Sequence, residues 1–318
     1  MSAPLPSFSC APFIKEIGRG ARGARALTRQ DAFRLYEAIL GKHVSDVEMG
    51  AVLMAYRIKG ESAEELAGMC DAAHATLSKL TAPAGTTPVV IASYNGARKQ
   101  ANLVPLLALL LAREGIPVLI HGVRIDPGRV TTAEVLQALG IELGLDATMA
   151  QSQLAAQRIA FLETAVLSPA LAQQLDLRRL LGVRNSAHTV VKLLQPFDGP
   201  ALRLVNYTHP PYRDTLIEYF NLVDKVGLPG ILLARGTEGE AVADATLARE
   251  TVWLREGASD VLIQGAPRLT AEAAELPASR EAAQTAEWTQ RVLAGTIAVP
   301  APIATQVATI ARIAHGAA

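Results

Sequence analysis

Apolar and polar positions follow one pattern up to about residue 80 and another beyond it. In the first stretch apolar residues recur at three- and four-residue spacing, and a small oxygen-bearing residue precedes most runs. Thr28 precedes residues 29–40, Ser45 or Asp46 precedes 47–59, Ser62 precedes 63–80, and Pro12 opens a short run over 12–18. Side-chain oxygens at such positions accept from the free N–H groups of a first helical turn. Residues 11–80 are therefore expected to be helical, with a Pro/Gly linker at 81–87.

Beyond the linker, short continuous apolar runs take over. Residues 89–92 and 118–121 read as buried strands on either side of a helix at 103–113 that is apolar on every face. Further strands are expected at 160–163, 202–206, 230–234 and 260–263, with helices between them. Strands alternating with helices give an α/β class, with a central, mainly parallel sheet flanked by helices. The expected division is a small N-terminal helical bundle, residues 1–80, and a larger α/β domain, residues 81–318, with helices near 165–182 packing with the first.

Composition narrows the class. Half of the 318 residues are hydrophobic and only 4% are aromatic, as suits a helix-rich α/β protein. No apolar run reaches the roughly 20 residues of a membrane span; the longest, residues 103–112, contains Pro105. The start MSAPLPSFSCAPFIKE lacks the charged and apolar regions of a signal peptide, so a cytoplasmic location is expected. Cys10 and Cys70 are far apart and read as reduced thiols.

Formal net charge is zero but unevenly spread. Residues 1–213 hold 22 Lys/Arg against 17 Asp/Glu, leaving 8 against 13 for the remainder. The excess gathers in three windows, at 15–34, 98–129 and 178–213, and local basic fields of this kind recruit phosphates.

Residues 87–140 read as strand–loop–helix–strand, a unit that usually offers backbone N–H groups and a helix N-terminus to a phosphate. Here the loop carries one glycine and the cation pair Arg98-Lys99. A solvated loop and a phosphate contact both fit that pair. Two cations without a glycine nest suit a polymer's backbone phosphates as well as a compact pyrophosphate. His121 ends the second strand as a structural histidine or a pocket residue, and Gly122 permits close approach of a ligand. Arg124 and Arg129 flank Asp126-Pro127, where a phosphate contact and an ion pair to Asp126 are equally open.

The block AEVLQALG at 133–140, together with Asn102, His121, Gly122 and Arg124, resembles the anthranilate phosphoribosyltransferase group of glycosyltransferase family 3. That group's first loop usually reads G-T-G-G-D and continues N-I-S-T. Here the loop is SYNGARKQ, and Leu103-Val104-Pro105 follows Asn102. Four motifs, YNGARKQAN at 94–102, HGV at 121–123, RNSAHT at 184–189 and RGTEGE at 235–240, are similar to those of the YbiB-like paralogues. The resemblance covers nearly the whole chain. It implies the phosphoribosyltransferase class with a nucleoside-phosphorylase-like fold and a vestigial pocket at Asn95, Gly96, Asn102, His121, Gly122 and Arg184. Arg184 matches the position expected to hold the anthranilate carboxylate, while Ser168 replaces the group's histidine. The group's magnesium-binding D-E pair corresponds to Glu238 and Glu240, split by Gly239 and close to Arg235, which can pair with either. They are weak metal candidates, and no resident cofactor is expected. The resemblance also implies a homodimer through the N-terminal helices, with Val52, Leu53 or Tyr56 in the interface; an internal core is the alternative role for those three.

Two functions follow. What the YbiB-like resemblance implies is sequence-independent binding of a DNA or RNA backbone, along Arg98, Lys99, Arg124, Arg129, Arg178, Arg179, Arg184 and Lys192. Few aromatics favour phosphate contact over base stacking, although Tyr94, Tyr207 and Tyr212 lie in or near basic windows. The alternative is an active glycosyl or phosphoribosyl transferase with a non-standard acceptor, kept open by Asn102, His121 and Arg184. No zinc spacing, Walker block or G-x-S-x-G occurs, and catalytic residues are unassigned.

Overall fold

The computed structural model describes residues 8–20, 22–223, 229–256, 258–266 and 275–316. Residues 1–7, where a leader would begin, lie outside them. The chain forms two compact units, one of residues 1–77, 168–194 and 214–224, the other of 78–167, 195–213 and 225–318.

In the smaller unit the helix starts fall where the polar pattern placed them. Thr28 caps Arg29–Leu40 by accepting from the Asp31 amide. Ser45 and Ser62 form reciprocal capping boxes with Glu48 and Glu65 at the heads of Asp46–Lys59 and Ala63–His74. The last of these stops at His74 rather than running to residue 80. Helices Pro169–Asp176 and Ala187–Leu193 pack in the same unit, against Arg29–Leu40 and Ala63–His74 respectively.

The interface residues expected on Asp46–Lys59 need correcting. Val52, Leu53 and Tyr56 are 1%, 3% and 2% exposed, so they belong to the chain's own core. The exposed apolar side chains of that helix are Val47, Met54 and Ile58. Helical spacing alone does not tell a stripe that faces a partner from one that faces the interior.

The larger unit holds a seven-stranded sheet: β1 Val89–Ser93, β2 Val118–Gly122, β3 Ile159–Glu163, β4 Leu202–Tyr207, β5 Ile231–Arg235, β6 Thr251–Arg255 and β7 Ala258–Ile263. Their order is β3-β2-β1-β4-β5-β6-β7, parallel through β5 and antiparallel for the last two pairings. β1 and β2 are buried at every position, as their unbroken apolar runs require. Helix Val104–Arg113 packs into the same core, with Leu106, Leu107 and Leu111 fully buried. Strand β6 lies outside the strands expected from the sequence, although Thr-Val-Trp-Leu-Arg followed by Glu-Gly carries both a β-rich run and a turn signal.

The chain runs β1, β2, β3 towards one edge and then returns to place β4 and β5 on the other side of β1. The direction of strand order therefore reverses between β1 and β4. In open α/β sheets that reversal leaves a crevice beyond the strands' carboxyl ends, where ligands bind.

Candidate functional site

The loop leaving β1 enters that crevice. Gly96 has φ +70, and a Cβ there would lie 2.6 Å from the Val130 carbonyl oxygen, so only glycine fits the turn. Tyr94, Asn95 and Ala97 are buried, while Arg98, Lys99 and Gln100 are exposed. Among the described residues neither the Arg98 nor the Lys99 side chain forms an ion pair.

The amides of this loop are engaged within the chain. Gly96 N donates to Glu240 Oε1 at 3.0 Å, and Ala97 N donates to the Val130 carbonyl at 2.9 Å. Arg98 N donates to Glu238 Oε2, and Lys99 N reaches both Glu238 oxygens at 3.0 and 2.8 Å. The loop's carbonyls meet cations: Arg129 donates to the Gly96 oxygen at 3.1 Å, and Arg280 donates to those of Arg98 and Gly128.

Both carboxylates come from one tight turn after β5. Thr237 and Glu240 exchange backbone hydrogen bonds at 3.0 and 2.9 Å, with Glu238 at φ 54 and Gly239 at φ 94 between them. A left-handed glutamate costs of order 1 kcal/mol and persists only when its surroundings hold it there. Here the contacts of its carboxylate with the two loop amides hold it. Sequence reading picked out Glu238 and Glu240 as weak metal candidates and missed this clamp, along with Arg280.

The expected basic residues fall in both units. Arg98, Lys99, Arg124 and Arg129 belong to the larger, and Arg178, Arg179, Arg184 and Lys192 to the smaller. Arg124 pairs with Glu163 at 2.5 Å, a partner the sequence did not suggest. Arg129 takes the ion-pair alternative, 3.5 Å from Asp126, besides its bond to the loop. Arg179 lies 3.9 Å from Asp176 with both side chains well exposed, a pairing of little energetic weight. Arg178, Arg184 and Lys192 are half-buried.

Asn102 and Gly122, two of the expected pocket residues, have roles in the fold. Asn102 donates to the Val130 carbonyl at 3.3 Å and Thr132 Oγ1 at 3.0 Å, and accepts from Val104 N at 3.2 Å, opening helix Val104–Arg113. In RNSAHT, Asn185 Nδ2 donates to the Gln174 carbonyl at 2.7 Å and Ser186 Oγ bonds Glu61 at 2.5 Å, so the motif ties helices together. Gly122 was expected to admit a ligand. What approaches instead is the Ser93 carbonyl of the neighbouring strand, 1.9 Å from where a Cβ would sit.

His121 is 1% exposed, its Nδ1 lacks a hydrogen-bond partner, and burial pulls its pKa down to about 4. Burial likewise lowers His188 to about 3, with Arg184 adding to the effect. An unfolded histidine, with pKa near 6.5, then binds a proton more readily than the folded one. The stability from keeping each ring neutral is full above about pH 6.5 and is lost as pH falls towards the folded value. For His121 the loss reaches roughly 3 kcal/mol by pH 4. Urea midpoints between pH 4.5 and 7 are expected to fall with acidity, and His121→Gln to flatten that slope; an unchanged slope would count against a buried neutral ring.

Residues 11–76 match the family model described as the glycosyl transferase family, helical bundle domain. The YbiB protein of Escherichia coli is 42% identical over 297 residues, covering 93% of this chain and 91% of that protein. The chain belongs to the YbiB family. It is also homologous to the anthranilate phosphoribosyltransferases: that of Methylocella silvestris is 29% identical over 76% of the YbiB-family chain and 68% of its own length. The Thermus thermophilus anthranilate phosphoribosyltransferase shares the fold at a TM-score of 0.72 and 23% identity, covering 96% of this chain and 89% of that one. The Saccharomyces cerevisiae enzyme, solved with PRPP and Mg, superposes at 0.74 with 14% identity, over 96% and 88%. Within this fold the YbiB-family chain turns Glu238 and Glu240 onto its own β1 loop. Among the described residues no helix is long and apolar enough to cross a membrane.

Proposed function

We propose that the chain binds DNA or RNA through backbone phosphates without reading the bases, on a scaffold of the transferase class. The supporting observation is the complete engagement of the amides of residues 96–99 while the Arg98 and Lys99 side chains face solvent. A magnesium diphosphate needs carboxylates turned to the ion and amides turned to phosphate oxygens. Here those two sets of groups are bonded to each other, and the residues present do not fit that ligand. A polymer offers phosphates in a row, which long flexible cations reach without a nest of amides.

Arg98 and Lys99 take the first contacts in the larger unit, where Arg124 and Arg129 also hold Glu163, Asp126 and Gly96; Arg178, Arg179, Arg184 and Lys192 are candidates of the smaller unit taken by itself. Self-association belongs to the same proposal, through the Val47, Met54 and Ile58 face, because two copies would hold a long strand better than one.

Fluorescence anisotropy with unrelated oligonucleotides at several salt concentrations tests this. If about five cations engage, log affinity falls against log salt with a slope of roughly −4 to −5. Changing Arg98 and Lys99 together to Glu should weaken every sequence alike and reduce the slope by about 2. Absence of binding at low salt, or strong preference for one sequence, overturns the proposal. Steady-state turnover of anthranilate with the diphosphate donor and magnesium would favour the transferase alternative.

A further inference from the structure

The larger unit contains a concave site beside the turn that carries Glu238 and Glu240, lined by neither carboxylate. A cavity of about 220 Å³ lies among the ends of β4, β5 and β7, the start of β6 and the first turns of helix Ala301–Ala314. Val242, Ala248, Ile263 and Pro302 make most of its wall apolar. Gln306 fixes one side by accepting from Ala243 N and donating to the Ala241 carbonyl, each at 2.8 Å.

Besides the neutral Asn206, Thr251, Thr305 and Gln306, its charged groups are of one sign. The lining includes Arg235 and Arg249 and no carboxylate. Arg249 makes one bond of 3.2 Å, to Asp244 Oδ2, and its Nε is buried without a hydrogen-bond partner. Asp244 is itself shared, since its other oxygen accepts from the Thr246 amide and hydroxyl at 3.0 and 2.9 Å. A guanidinium carries five donors, and a buried one left without a partner is costly. Helix Ala301–Ala314 presents its first turn to the same cavity, and no side chain caps it. The first turn adds little to this, since Pro302 has no N–H and the Ile303 amide donates to the Pro300 carbonyl at 2.9 Å, so the under-used guanidinium is what favours an anion.

We propose that this cavity binds a small monocarboxylate with a compact aliphatic body. The apolar wall takes the body, and Arg249 takes the carboxylate. The lining is aliphatic, and the volume falls below the 300 Å³ or so of common ligand sites, which limits the guest to about ten heavy atoms.

Isothermal titration of the full chain with cyclohexanecarboxylate, and with neutral cyclohexanecarboxamide as comparator, tests the site. The acid is expected to bind saturably at one site per chain, about tenfold more tightly than the amide. Arg249→Gln should remove about that tenfold preference and leave amide binding unchanged. Ala248→Leu, which fills the cavity, should abolish binding of both while keeping the wild-type melting temperature. Lack of saturable binding, acid binding that survives Ala248→Leu, or indifference to Arg249→Gln each overturns the proposal. None of these outcomes depends on whether the chain binds nucleic acid.

Discussion

Gly122→Ala should leave little folded protein at 37 °C, although the change adds only one methyl group. Gly122 pairs with Ser93 across the parallel β1–β2 ladder. A Cβ there would sit 1.9 Å from the Ser93 carbonyl oxygen and 2.7 Å from its carbon. Both atoms are backbone of an adjacent, fully buried strand, so no side chain can swing away. Separating the strands breaks ladder bonds and opens the core around Ile91 and Ile120, both 0% exposed. Overpacking with nowhere to relax costs about 4 kcal/mol or more, a large part of the 5–15 kcal/mol of a typical domain. Circular-dichroism melting should show a drop of about 10 °C or more, or the protein should be insoluble. Gly128→Ala is the control: φ is +78 there, but nothing lies within 4 Å. Only backbone strain of roughly 1 kcal/mol is then expected. A Gly122→Ala protein melting like wild type would refute the close-approach account.

The same glycine shows which features were legible in the sequence. The sequence marked Gly122 as a point of close approach, but took the approaching group for a ligand, because strand register is a three-dimensional fact. Strands β1 to β5 were legible because buried parallel strands read as unbroken apolar runs bounded by Gly, Pro and Asn. The capping serines were legible because a cap bond spans only three residues. Glu238 and Glu240 were not, since their partners lie about 140 positions away in sequence. Arg124 with Glu163 and Arg280 with Arg98 are hidden for the same reason. Val52, Leu53 and Tyr56 were misplaced because periodicity gives a face but not what covers it.

Removing the two carboxylates should open the β1 loop without unfolding the sheet. In a Glu238→Gly, Glu240→Ala variant the amides of Gly96, Arg98 and Lys99 lose their acceptors, while Ala97 keeps the Val130 carbonyl. Bonds to a charged acceptor contribute about 1.5–3 kcal/mol each where buried. Glu240 is 2% exposed and deserves the upper part of that range, whereas Glu238 is half-buried and is discounted for solvent screening. Glycine at 238 also relieves the strain at φ 54, which returns of order 1 kcal/mol. A net local loss of roughly 3 kcal/mol raises amide hydrogen exchange at residues 96, 98 and 99 by about 100-fold. The β1 amides of Val90 and Ile91 should exchange at the wild-type rate, because their ladder to β2 and β4 is untouched. The freed amides would then be available to an external anion, so inorganic pyrophosphate should shift the amide signals of residues 96, 98 and 99 several-fold more in the variant than in wild type, where only the exposed Arg98 and Lys99 side chains can meet it. Wild-type exchange at those amides in the variant would mean that the carboxylates do not hold the loop. Pyrophosphate shifting the wild-type signals equally would mean that they do not block it.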